Sequence, residues 1–213
     1  MRPRPVLTSL LAYAALATPA LAHPHMWITS KAEIMYQADK VAGVHHAWTF
    51  DAAYSAFVTQ GLDKNGDGKL DSAELAGLAK ENTASLAAFG YFTLLKANGL
   101  KQELGEPREP TMTFEAGQVT LSFHLPLRTP ALANKIVMLE VYDPSFFVSF
   151  SIAEGEDAVR LAGAPKGCSL TVARPKPIDP AQQQKLSEAF FNALTATSKF
   201  GEQFANRALV ACP

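Results

Sequence analysis

Cysteine is scarce in this sequence, with two residues among 213. Cys168 and Cys212 stand 44 positions apart, so there is no Cys-x-x-Cys spacing for a redox dithiol or a zinc site. Charge is thin at 18%, and its signs nearly cancel, 19 Lys and Arg against 20 Asp and Glu. No Lys/Arg cluster is present to hold a phosphate backbone or an acidic membrane surface, which excludes a nucleic-acid-binding role. No Gly-x-Ser-x-Gly elbow, phosphate-binding glycine loop or dinucleotide fingerprint occurs. Paired carboxylates are missing outside one acidic loop, and Ser169 has no triad context. These absences predict a protein that is not an enzyme. What is abundant is apolar: 48% of residues, enough for one domain with its own core and too much for a disordered chain.

The longest apolar run lies at the N-terminus. Arg2 and Arg4 precede an apolar stretch over residues 6–17, Thr18-Pro19 breaks it, and Ala20-Leu21-Ala22 is a small-x-small cleavage site. The stretch is short of the roughly 20 residues a membrane span needs. Residues 1–22 therefore read as a cleaved secretory signal, and residues 23–213 as a single domain exported to the periplasm, with no stable membrane insertion. Loss of Arg2 and Arg4 leaves 17 basic and 20 acidic side chains, a charge of −3. In that oxidising compartment two cysteines predict a Cys168–Cys212 disulfide, a closure that stabilises by about 3–4 kcal/mol in the chain-entropy model.

Local patterning predicts a β-rich domain. Residues 27–36 and 41–50 alternate around the turn Ala38-Asp39-Lys40, and Val44, His46, Trp48 and Phe50 share one face of the second strand. Asp51 is placed to cap a helix over residues 52–62, and a second helix starts near Ser72, with Leu75, Leu78, Ala79 and Leu86 at helical spacing. Short strands then flank Asn98-Gly99, Ala116-Gly117 and Asp143-Pro144-Ser145, the last read as a purely structural turn. Weaker strand signals cover residues 159–162 and 169–172. Asp179 precedes Pro180 at the start of a last helix with Leu186, Phe190 and Leu194 on its apolar stripe. The fold expected is α+β: an antiparallel, sandwich-like domain, an EF-hand helix-loop-helix inserted at about residues 51–90, and a C-terminal helix tied by the disulfide.

Residues 63–74 carry the sharpest motif, Asp-Lys-Asn-Gly-Asp-Gly-Lys-Leu-Asp-Ser-Ala-Glu. They match the twelve-residue EF-hand loop at each mechanistic position. Asp63, Asn65 and Asp67 supply oxygens at positions 1, 3 and 5, Lys69 its carbonyl at 7, Asp71 an oxygen at 9, and Glu74 two oxygens at 12. Gly68 at position 6 permits the sharp turn. A hard cation with about seven oxygen ligands is calcium rather than magnesium. A lone loop, without the partner hand of a sensor pair, predicts bracing rather than switching.

Histidines form the second group. Cleavage after Ala22 makes His23 the first residue, so its α-amine and ring nitrogen are offered together, with His25 two residues on. A hairpin register that pairs Tyr36 with Val41 brings His25 near Asp51. His23, His25 and Asp51 are thus candidate ligands for Zn, Cu, Ni or Co, the ions imidazole suits. His45 and His46 point to opposite faces of one strand, His46 reads as a core histidine, and His124 has no assigned role.

The ordered set Ala22-His23-Pro24-His25, Trp48-Thr49-Phe50-Asp51, the loop of residues 63–74, Val141-Tyr142-Asp143-Pro144, Cys168 and Cys212-Pro213 resembles an uncharacterised Gram-negative periplasmic family. Its members carry a domain of unknown function, are called the periplasmic component of an uncharacterised ABC-type transport system, and are often encoded beside nickel/cobalt permeases. The resemblance implies a metal-binding accessory protein serving an inner-membrane metal permease. Two alternatives stand beside it: a calcium-dependent interaction module without transition metal, and a copper enzyme using His23 as a histidine brace. The common premise has a direct check. Intact mass of the exported protein should place its first residue at His23; any other start removes the terminal-histidine site.

Overall fold

The computed structural model describes residues 24–175 and 200–213. The expected signal segment, His23 and the helix expected after Asp179 lie outside the described residues. In chain order the strands and helices are β1 (Met26–Gln37), β2 (Lys40–Phe50), α1 (Ala52–Val58), α2 (Ser72–Ser85), β3 (Thr93–Ala97), β4 (Leu100–Lys101), β5 (Arg108–Glu115), β6 (Gln118–Leu132), β7 (Ile136–Val141), β8 (Val148–Ile152), β9 (Val159–Ala162), β10 (Ser169–Ala173) and β11 (Asn206–Ala211).

Two sheets share one hydrophobic core. The larger runs β5-β6-β2-β1-β8, with β9 also on β1; the smaller runs β10-β11-β7-β3-β4. Alternation decides what each strand buries: Val44, His46, Trp48 and Phe50 turn inward from β2, as expected, while His45 and Ala47 turn out. Trp48 is the hub, with Phe123 and Phe150 packed edge-on at 5.0 and 5.1 Å between centroids. Burial of such rings contributes about 1.5–3 kcal/mol each.

The β1–β2 hairpin forms with Tyr36 opposite Val41, and a bulge beside that pair shifts the rest of the register by one, to Ile28 opposite Phe50. A second irregularity lies on the other side of β2, between Val41 and Gly43. A Cβ at Gly43 would meet the Leu125 carbonyl oxygen at 2.6 Å, so only glycine fits there. The sheet is mixed rather than purely antiparallel, because β8 and β9 both run parallel to β1. Strands β7 and β8 do not form a hairpin across Asp143-Pro144-Ser145; that turn carries the chain from one sheet to the other. The Asp143 carboxylate directs it, accepting from the amides of Ser145 and Val148 at 2.8 and 2.9 Å. Helix α1 stops at Val58, short of the expected Leu62, as turns lead to Gly61 at φ 73°.

Cys168 and Cys212 are disulfide-bonded. The bond closes the antiparallel pair β10–β11, whose terminal register is Ser169 opposite Ala211. It therefore ties a strand to a strand, not a helix to the body. Strand β11 is the element that sequence patterning missed, since its alternation rests on Ala208 and Val210, two small residues.

His46 has no exposure, sits 5.2 Å from both Trp48 and Phe123, and meets the Thr93 hydroxyl through Nε2 at 3.2 Å. Burial, with the neighbouring His45 charge adding to it, lowers its pKa to about 3. The unfolded histidine protonates near pH 6.5. Between those values the unfolded chain binds the extra proton, so stability is intact above pH 6.5 and falls as pH drops toward 3. Urea unfolding at a series of pH values should show this decline, at up to about 1.4 kcal/mol per pH unit from this group. His46→Leu should flatten it.

Candidate functional site

The acidic loop lies between α1 and α2, and its side chains are organised by its own backbone. Asp63 accepts from the amides of Gly66 at 2.7 Å and Gly68 at 3.0 Å, one on each oxygen. Asn65 accepts from Asp67 N, and Asp67 from Lys69 N, both at 2.8 Å. Gly68 takes φ 78°, the left-handed conformation expected at position 6 of the motif. Asp71 caps α2 by accepting from Ala73 N and Glu74 N, and Glu74 closes the capping box on Asp71 N. The other oxygen of Glu74 reaches back to Lys64 N at 2.9 Å. Each ionised carboxylate has about four lone-pair sites, so an amide contact leaves capacity for a cation. The donor set, all oxygen and exposed apart from the half-buried Asp63 and Glu74, fits a hard cation chemically. Among the described residues, however, no group of three or more His, Cys, Asp or Glu side chains is drawn together as a metal shell.

Asp51 holds two main-chain amides. Its Oδ1 accepts from Tyr54 N at 2.9 Å, capping α1, and its Oδ2 accepts from Trp27 N at 3.0 Å. The register thus sets Asp51 beside Trp27, two residues beyond His25. His25 is exposed, its amide donates to the Phe147 carbonyl at 3.0 Å, and its ring lies 4.9 Å from the Phe147 ring. His25 and Asp51 therefore occupy the same end of the sheet, while His23 is outside the described residues.

That end of the sheet opens into a cleft of about 540 Å³, within the range of small-molecule sites. Its floor is the inner face of the larger sheet: Ile28, Trp48, Phe50 and Leu121. Tyr54, Asn82, Leu86 and Phe89 from the two helices and the 3-10 segment after them form one wall. The turn residues Asp143, Ser145 and Phe147 form the other. The helices are cross-tied by the Tyr54 hydroxyl, which donates to Asn82 Oδ1 at 2.8 Å. Burial raises the Tyr54 pKa and the Asn82 contact opposes it, so the phenol stays a donor at neutral pH. Phe89 is 60% exposed and Phe147 46% exposed, on opposite rims. Each ring also has a ring neighbour, Phe89 stacked on Phe92 at 5.3 Å and Phe147 tilted against His25 at 4.9 Å.

Sequence reasoning missed the cleft. Phe89 falls beyond the helical stripe and Phe147 sits in a segment read as a turn; the surplus of aromatics around Asp143 and Gly90 was the available signal. The family model "Protein of unknown function (DUF1007)" matches residues 8–212. An uncharacterized 15.5 kDa protein in the trpE 3′ region of Spirochaeta aurantia is 32% identical over 106 residues, 49% of this chain and 76% of that protein.

Asp51 yields a graded test. Asp51→Ala should lose the helix cap and the Trp27 contact, costing about 1–3 kcal/mol in urea unfolding. Asp51→Asn keeps an acceptor for Tyr54 N and should cost less.

Proposed function

The chain belongs to the DUF1007 family of proteins of unknown function, and we propose that it is an exported binding protein, braced by calcium in the loop of residues 63–74, whose ligand is a small, largely apolar molecule held in the aromatic cleft. The observation that carries this reading is the double use of one helix pair. Helices α1 and α2 bracket the acidic loop, and the same helices supply Tyr54 and Asn82 to the cleft wall. Asp63, Asn65, Asp67, the Lys69 carbonyl, Asp71 and Glu74 would hold the ion as an EF hand. Bound calcium would neutralise four carboxylates crowded on one exposed loop and cross-link the segment between the helices.

A second reading is favoured by the position of His25 beside the cleft residue Phe147, the two rings tilted at 41° with centroids 4.9 Å apart. A periplasmic accessory protein for a Ni, Co, Zn or Cu permease would carry its ion on His23 and His25 there, beside the surface available to a partner. Asp51 would be the third ligand at that end of the sheet: each of its oxygens accepts one main-chain amide and keeps lone-pair capacity for an ion.

Calcium titration followed by thermal unfolding tests the first reading. At about 10 mM calcium, a site with an extracellular-type Kd near 10⁻⁴ M should raise Tm by about 5–10 °C. Asp63→Ala and Glu74→Gln should abolish the rise. An anilinonaphthalene dye should bind the cleft, with affinity that changes on adding calcium and falls about tenfold in Phe89→Ser. No calcium-dependent rise in Tm would overturn the brace, and dye binding indifferent to Phe89→Ser and Phe147→Ser would overturn the cleft.

A further inference from the structure

The larger sheet carries a second group of side chains on its outer face, away from the cleft. His45 of β2 is directly opposite His124 of β6, Glu33 of β1 is opposite His45, and Arg108 of β5 is opposite His124. Arg160 of β9 lies next to Glu33 and pairs with it at 3.5 Å. The five residues make one row across five strands, and the two imidazoles are its centre. Directly opposed side chains have Cβ atoms about 4.5–5.5 Å apart, which lets two imidazoles reach one ion.

We propose that His45 and His124 form a two-imidazole site for a borderline divalent transition ion, independent of the terminal histidines. The remaining coordination positions are left to water, with Glu33, directly opposite His45, as a compensating carboxylate. Two observations support it. The register at this point is regular: every pair from Val44–Leu125 to Thr49–Thr120 is in step, so both histidines are set by rigid backbone. Gly43 provides the room for the second ring. A Cβ there would stand 3.2 Å from His124 Nε2, so the ring lies over bare backbone, its Nε2 buried and without a hydrogen-bond partner. Binding by His124 would therefore use Nδ1. Cys168 and Cys212 are joined to each other, so no thiolate competes for the ion among the described residues.

Zinc binding to the exported full-length protein, measured by competition with a chromophoric chelator, tests the site. His45→Gln and His124→Gln should each weaken one zinc site at least tenfold, while His25→Ala leaves that site unchanged. Unaltered zinc affinity in both glutamine variants would overturn the proposal. A measurement on the unmutated protein removes any dependence on how the variants fold. In long-range ¹H–¹⁵N spectra with substoichiometric Ni²⁺, the His45 and His124 rings should broaden together; broadening confined to His23 and His25 would equally overturn it.

Discussion

The carboxylate of Asp51 joins the sheet to the helices, and the arrangement of the cleft depends on that junction. One oxygen holds the Trp27 amide at the start of β1, and the other caps α1. A single side chain thereby sets where the β1–β2 pairing ends and where the helical segment begins. Ser55, one turn into α1, reinforces the junction: its hydroxyl donates to the Asp51 carbonyl at 2.7 Å and accepts from Val119 N at 3.0 Å. Helix α1 has only seven residues and could not persist alone. An exposed carboxylate contact at Trp27 and a buried hydroxyl contact at Val119 dock it on the sheet instead.

From this junction the other features follow in order. Once α1 is fixed, Tyr54 stacks on Phe50 at 4.7 Å and reaches Asn82, which places α2. Placing α2 in turn leaves Phe89 over the Trp48 floor instead of in it. The opposite wall is independent of the helices. It comes from the Asp143 turn, which has to span two sheets and holds Phe147 outward while Phe146 is buried. The acidic loop, lying between α1 and α2, belongs to one wall only.

Much of the strand pattern was legible because alternation is a local property. The β1–β2 hairpin, its Tyr36–Val41 pairing, the inward set on β2 and the cap at Asp51 all depend on residues within a few positions of each other. The mixed character of the sheet was not legible. Parallel pairing of β1 with β8 and β9 joins segments more than 100 residues apart, and nothing in either segment's own pattern specifies direction. Similarly, Asp143-Pro144-Ser145 has hairpin-turn chemistry, yet it bridges two sheets because Val141 and Val148 are claimed by different neighbours.

The residues of the acidic loop, the two cysteines and the core histidine could be singled out from their order alone. Ligand spacing, parity and side-chain alternation are written in one dimension, and backbone geometry carries them into space unchanged. Which groups face one another was decided by tertiary structure. The pairing of His45 with His124, the contact of Asp51 with the Trp27 amide and the convergence of Phe89 and Phe147 on one cleft each join strands or turns distant in sequence. Only the packing of two sheets on a shared core brings such groups within reach of a common ligand.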